Sequence, residues 1–122
     1  MKHDMDKAHW PTEIKLTEQG KMLRVDFETG ESFEFSSEYL RVVSPSAEVQ
    51  GHSPDQKKTV AGKRDVAVLA VEPVGNYAVQ IAFDDRHASG IYTWDYLYEI
   101  GAGRDRLWAD YLDELKSKGL SR

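Results

Sequence analysis

Apolar and polar residues alternate most regularly from Tyr77 to Phe83, where Tyr77, Val79, Ile81 and Phe83 are separated by Ala78, Gln80 and Ala82. A period of two is that of a strand with one face on a core. A polar turn follows (Asp84, Asp85, Arg86, His87), then a short strand from Gly90 to Thr93, then Trp94, Leu97, Tyr98 and Ile100 at helical spacing. Upstream, Ile14 and Leu16 alternate with charged residues between Glu13 and Thr17, which predicts an edge strand with Pro11 at its boundary. From Lys21 to Phe27 the pattern puts Leu23, Val25 and Phe27 on one face, and Glu31 to Phe35 repeats it through Phe33 and Phe35. Thr29-Gly30 joins these two strands as a hairpin, with Gly30 supplying the positive φ. Ser36 or Ser37 then caps a short helix carrying Tyr39, Leu40 and Val43.

The segment Ser44 to Asp65 has Pro45, Gly51, Pro54 and Gly62 and little periodicity. It reads as a long loop with a short strand at Ala47 to Gln50, and loops of that length are usually functional or mobile. Val66 to Val71 is a continuous apolar run, the pattern of a central strand covered on both faces. Leu107, Trp108, Tyr111, Leu112 and Leu115 share one face of a C-terminal amphipathic helix that Gly119 ends. The expected fold is therefore α+β: a mainly antiparallel sheet of about five or six strands, short helices after hairpins, and a C-terminal amphipathic helix. Phe27 to Leu40 and Phe83 to Leu97 echo one another in the order strand end, turn, strand, cap and Tyr-Leu on a helix. Two such units packed together would each cover the other's apolar face.

Length and composition narrow the function. The 122 residues suit one domain at 11–101, with a loose tail at 1–10 and a helical extension at 102–122. The absence of cysteine removes disulfides, thiolate nucleophiles and cysteine-ligated zinc or iron–sulfur sites. A net charge of -5 opposes binding to nucleic acid, because the basic residues cluster only weakly, at Lys57, Lys58, Lys63 and Arg64 and at Arg104 and Arg106. No apolar run approaches the roughly 18 residues of a membrane span, and the first residues lack the apolar core of a signal peptide, so the expected location is cytoplasmic, off the membrane.

Candidate chemistry concentrates in one turn. Asp84, Asp85 and His87 crowd three titratable groups together, with His52 approaching from the long loop; they could hold a divalent metal or do acid–base work. Equally, the aspartates could cap backbone amides and the histidine bond a carbonyl. His3 could complete a square-planar copper(II) or nickel(II) site with a free amino terminus, a capacity of any chain with histidine there. Tyr92, Trp94, Tyr96 and Tyr98 divide between core and an aromatic surface. Gly-x-Ser-x-Gly and the phosphate-binding Gly-x-x-x-x-Gly-Lys-Ser/Thr are both missing.

The blocks YLRVVSPSAEVQGH (39–52), VEPVGNYAVQIAFDD (71–85), His87 and GIYTWDYLYEIG (90–101) resemble the small bacterial family similar to the N-terminal domain of gamma-butyrobetaine hydroxylase. In the hydroxylases, the resemblance implies, three cysteines and one histidine hold zinc; the matching positions here are Ser44, Ser46, Val49 and His87. Hydroxyl and isopropyl groups do not replace thiolates, so no cofactor is expected, and zinc or iron would lack its cysteine ligands. Arg86 stands where the family more often has glycine. The catalytic jelly-roll domain and its His-x-Asp motif have no counterpart in this chain, so stand-alone oxygenase activity is not expected. Related domains attached to ATPases that carry iron–sulfur clusters imply a link to cluster assembly. The function expected is a non-enzymatic accessory or protein-interaction domain with a protein partner. The alternatives are a metal-binding domain using His87, Asp84, Asp85 and His52, and a small enzyme of unknown substrate.

Overall fold

The computed structural model describes residues 9–50, 58–87 and 90–122, apart from the side chains of Ala47 and Glu48. Among the described residues six strands form two separate antiparallel sheets of three, not one sheet of five or six. The first is β1 (Pro11–Thr17), β2 (Met22–Phe27) and β3 (Ser32–Ser36); the second is β4 (Val68–Val74), β5 (Ala78–Phe83) and β6 (Ile91–Thr93). Among the described residues, the helices longer than a single turn in this α+β fold are α1 (Ser37–Val42), α2 (Trp94–Ala102) and α3 (Arg104–Ser117). Alternation identifies the buried face of a strand, but the same pattern serves whichever strand lies beside it. Here β1 pairs only with β2 and β4 only with β5, so both sheets keep a free outer edge among the described residues.

The internal echo is structural. In the first half the Phe27 N–H donates to Glu31 O and the Gly30 N–H to Phe27 O; in the second the Phe83 N–H donates to His87 O and the Arg86 N–H to Phe83 O. Gly30 at φ 92° and Arg86 at φ 73° occupy equivalent left-handed positions, so the expected turn geometry is kept although arginine tolerates it less well than glycine. Each hairpin then runs into a capped helix. Ser36 Oγ accepts from the Tyr39 N–H, and Thr93 Oγ1 accepts from the Tyr96 N–H, each at 3.1 Å. The two tyrosines cross over: Tyr39 OH donates to Ile100 O in α2 at 2.6 Å, and Tyr96 OH donates to Val43 O just beyond α1 at 2.5 Å. Each unit thus satisfies a late helical carbonyl of the other, a group that its own helix leaves without a partner.

Between the sheets lies a core of Leu23, Val25, Phe35, Leu40, Ile81, Phe83, Tyr92, Leu97 and Ile100, all essentially inaccessible. The face of α3 reads as expected at Tyr111 and Leu115, which bury against Val42, whereas Leu112 stays partly exposed. Gly119, at φ 67°, follows the end of this helix. Three local expectations fail. Ala47–Gln50 is a single helical turn rather than a strand, with the Val49 and Gln50 N–H groups both bonding Ser46 O. The run Val66 to Val71 is not central: β4 is an edge strand, and Leu69 is 67% exposed. Pro73 suits that edge, where no ladder donor is needed from it. Tyr77 precedes β5 in the turn and is exposed.

The described residues begin at His9. His9 stacks on Tyr98 with ring centroids 3.7 Å apart, and its Nδ1 lies 3.1 Å from Asp95 Oδ1. His3 and the rest of residues 1–8 lie outside the described residues.

Candidate functional site

The loop leaving α1 and the turn between β5 and β6 meet in a buried polar cluster. Ser44 Oγ is 2.8 Å from His87 Nε2, Ser46 Oγ is 3.3 Å from the same nitrogen, and the two hydroxyls are 3.3 Å apart. Ser44, Ser46 and His87 are 0%, 6% and 4% exposed. The turn sets the ring: Arg86 at positive φ closes the hairpin, and the Phe83 N–H bonded to His87 O fixes the residue that follows. A hydroxyl both donates and accepts, so Nε2 is satisfied in either tautomer. Gly90 permits the approach, because a Cβ there would lie 2.6 Å from Ser44 Oγ. Val49, in the helical turn that follows, is buried and apolar.

The neighbouring carboxylates turn elsewhere. Asp84 Oδ1 accepts from the Ala67 N–H at 3.1 Å, tying the turn to the start of β4. Asp85 Oδ2 takes Arg41 Nε at 2.8 Å and Lys63 Nζ at 2.6 Å, while its Oδ1 accepts from the His87 N–H at 3.1 Å. Arg41 pairs with Asp85 through Nε, and its buried Nη1 makes no hydrogen bond among the described residues. Asp84, Asp85 and His87 therefore share a turn without sharing a focus, and His52, the fourth candidate ligand, lies outside the described residues. Among the described residues no three His, Cys, Asp or Glu side chains gather as a metal site would need.

Burial pushes the Asp85 carboxyl up, but hydrogen bonds from Lys63, Arg41 and the His87 amide outweigh it and hold the group at about 2. A carboxyl depressed in the folded state contributes stability that is present above its unfolded value near 4 and lost as pH falls through the folded value. The contribution is on the order of 2 kcal/mol and should disappear between about pH 4 and pH 2. Urea unfolding of wild type and Asp85→Asn should differ by that amount at neutral pH and converge in acid. A constant offset across the range would show that the ionised carboxylate is not the source.

The aromatic set divides by position. Tyr92 is fully buried and donates to Leu40 O at 2.6 Å, and Tyr96 serves the crossover already described. Tyr98 packs edge-on against Phe27 and Phe33, and Trp94 Nε1 donates to Asn76 O at 2.9 Å. Trp94 also borders a feature that the apolar pattern concealed. Ile14 and Leu16 of β1, with Leu69, Val71 and Pro73 of β4, line an apolar groove of about 590 Å³ between the free edges of the two sheets. Leu69 read as core because its neighbours are apolar. Exposure of one residue within such a run leaves no mark in composition.

The family described as gamma-butyrobetaine hydroxylase-like, N-terminal, matches residues 14–98. The chain belongs to that family. Two solution NMR structures are similar to it at 47% and 40% identity, each with a TM-score of 0.81; they cover 94% and 100% of this chain and 90% of their own. A crystal structure of a protein of unknown function from Acidithiobacillus ferrooxidans, of the DUF971 family, is 38% identical with a TM-score of 0.62, over 75% of this chain and 92% of its own. No curated protein matches. Of the positions that resemblance to the hydroxylases assigns to zinc, Ser44, Ser46 and His87 do converge in this member of the gamma-butyrobetaine hydroxylase-like family, yet the donor set does not fit the ion. One imidazole and two neutral hydroxyls beside an aliphatic Val49 offer no charge to offset a divalent cation. Among the described residues no helix is long and apolar enough to cross a membrane.

Proposed function

We propose that the chain is a non-enzymatic accessory domain that acts by binding another protein, with a metal-dependent or iron–sulfur assembly protein as the class of partner suggested by the family. The observation that carries this reading is the apolar groove between β1 and β4, where Leu69 and Leu16 are 67% and 39% exposed. Apolar surface gathered in a groove is what a partner covers. Two further features support it over catalysis. Ser44 and His87 are paired but sealed from solvent, so a substrate would have no approach to either, and Asp84 and Asp85 are committed to the backbone and to Arg41 and Lys63.

Affinity capture with wild type and Leu69→Asp tests the proposal, since the exposed Leu69 can be changed without opening the core. A specific protein should be retained by wild type, re-bind in purified form, and be lost with the variant. Retention of nothing specific by wild type, or equal retention by both, would contradict it.

A further inference from the structure

Strand β1 is the outer edge of its sheet, and its outward charges face like charges. Glu13 lies directly across from Asp26 of β2, and Lys15 directly across from Arg24. Like charges opposite one another in an antiparallel pair are destabilising. Asp26 and Arg24 settle this partly between themselves, with Arg24 Nε 2.9 Å from Asp26 Oδ1, but Lys15 has no ion-pair partner among the described residues. On the opposite face of the same strand, half-buried Ile14 and exposed Leu16 border the apolar groove. An exposed strand edge presents unpaired backbone donors and acceptors, which invite another strand.

One occupant answers both faces. We propose that a second copy of this chain pairs with it edge to edge through β1, antiparallel and centred on Ile14. A two-fold axis at that residue sets Glu13 across from Lys15 of the second copy and Lys15 across from its Glu13. It also sets Ile14 against Ile14, and Leu16 against Thr12. Shifting the centre to Lys15 would instead oppose two lysines, so charge selects the register. The result is a continuous six-stranded sheet, β3-β2-β1 joined to its copy. The inference rests on the reading of the groove as an interaction surface and assigns its β1 side to a second copy of the chain, leaving the Leu69 side to the partner protein.

Sedimentation velocity over a concentration series tests it with three variants. Wild type should move from monomer to twice the mass as concentration rises. Glu13→Lys and Lys15→Glu should each weaken association by about tenfold, since every swap sets like charges at two symmetric contacts. Each swap also removes a like-charge contact with β2, so the melting temperature should hold or rise, which separates lost association from lost folding. The double variant E13K/K15E restores opposite charges across the axis and should associate like wild type. A wild type that stays monomeric, single variants that associate normally, or a double variant that stays weak would overturn the pairing. If a captured protein were still lost with Leu69→Asp while wild type remained monomeric, self-pairing would fall and the interaction-domain reading would stand.

Discussion

Gly20→Ala should lower the melting temperature by more than about 10 °C, a larger loss than any other single glycine replacement in a turn. Two penalties combine at this position. Gly20 sits at φ 88°, where a side chain costs on the order of 1–2 kcal/mol. A Cβ there would also lie 2.4 Å from Val68 O and 3.3 Å from Val68 N, which are backbone atoms of β4 and cannot rotate aside. The turn between β1 and β2 thus presses directly on the second sheet, and the methyl would have to push the sheets apart. Overpacking of that kind adds on the order of 1–3 kcal/mol, against a total stability of about 5–15 kcal/mol. Gly30→Ala is the control: its φ is 92°, yet nothing lies within 4 Å of a Cβ there, so only the backbone penalty remains. Circular dichroism melts of the two variants separate the terms. Equal losses would mean that the sheets do not bear on each other at Gly20.

Local features of the fold were legible because each has a local cause. Leu23, Val25 and Phe27 alternate because β2 buries one face; Gly30 marks a turn because the turn needs positive φ; Ser36 caps because its hydroxyl reaches the Tyr39 amide. Which strands lie side by side was not legible, since pairing depends on contacts remote in sequence, and two sheets of three satisfy the same alternation as one of six. The run containing Leu69 misled for a related reason: apolar composition signals burial on average, and an edge strand beside a groove departs from the average.

The candidate site was legible only in part. Adjacency in sequence suggested that Asp84, Asp85 and His87 act together, whereas the tight turn directs them to Ala67, to Arg41 and Lys63, and to Ser44 and Ser46 respectively. The ion-pair cluster joins three segments that have nothing in common in sequence. Convergence of Ser44 and Ser46 on His87 was available through the family resemblance, because no spacing rule links a serine in one loop to a histidine more than forty positions later.

The second large effect follows from that convergence. In a site built for zinc, donors on adjacent corners of the tetrahedron lie about 3.5 Å apart; Ser44 Oγ and Ser46 Oγ stand 2.8 and 3.3 Å from His87 Nε2, already near that spacing and drawn together by hydrogen bonds. Replacing Ser44, Ser46 and Val49 together by cysteine should therefore create a Cys₃His site at this loop and turn. Structural zinc sites of this type bind with apparent free energies of about 10–16 kcal/mol at neutral pH, so the ion should survive purification.

Metal content by elemental analysis, with melting before and after chelation, on untagged wild type beside S44C/S46C/V49C, puts the central claim to the test most directly. That claim is that hydrogen bonds and a packed core suffice to hold the wild-type domain together. Wild type should carry negligible zinc or iron and melt at the same temperature with or without chelator, while the triple variant should carry about one zinc per chain and lose stability when it is removed. Stoichiometric metal in wild type, or a wild type that melts early in chelator, would contradict the claim.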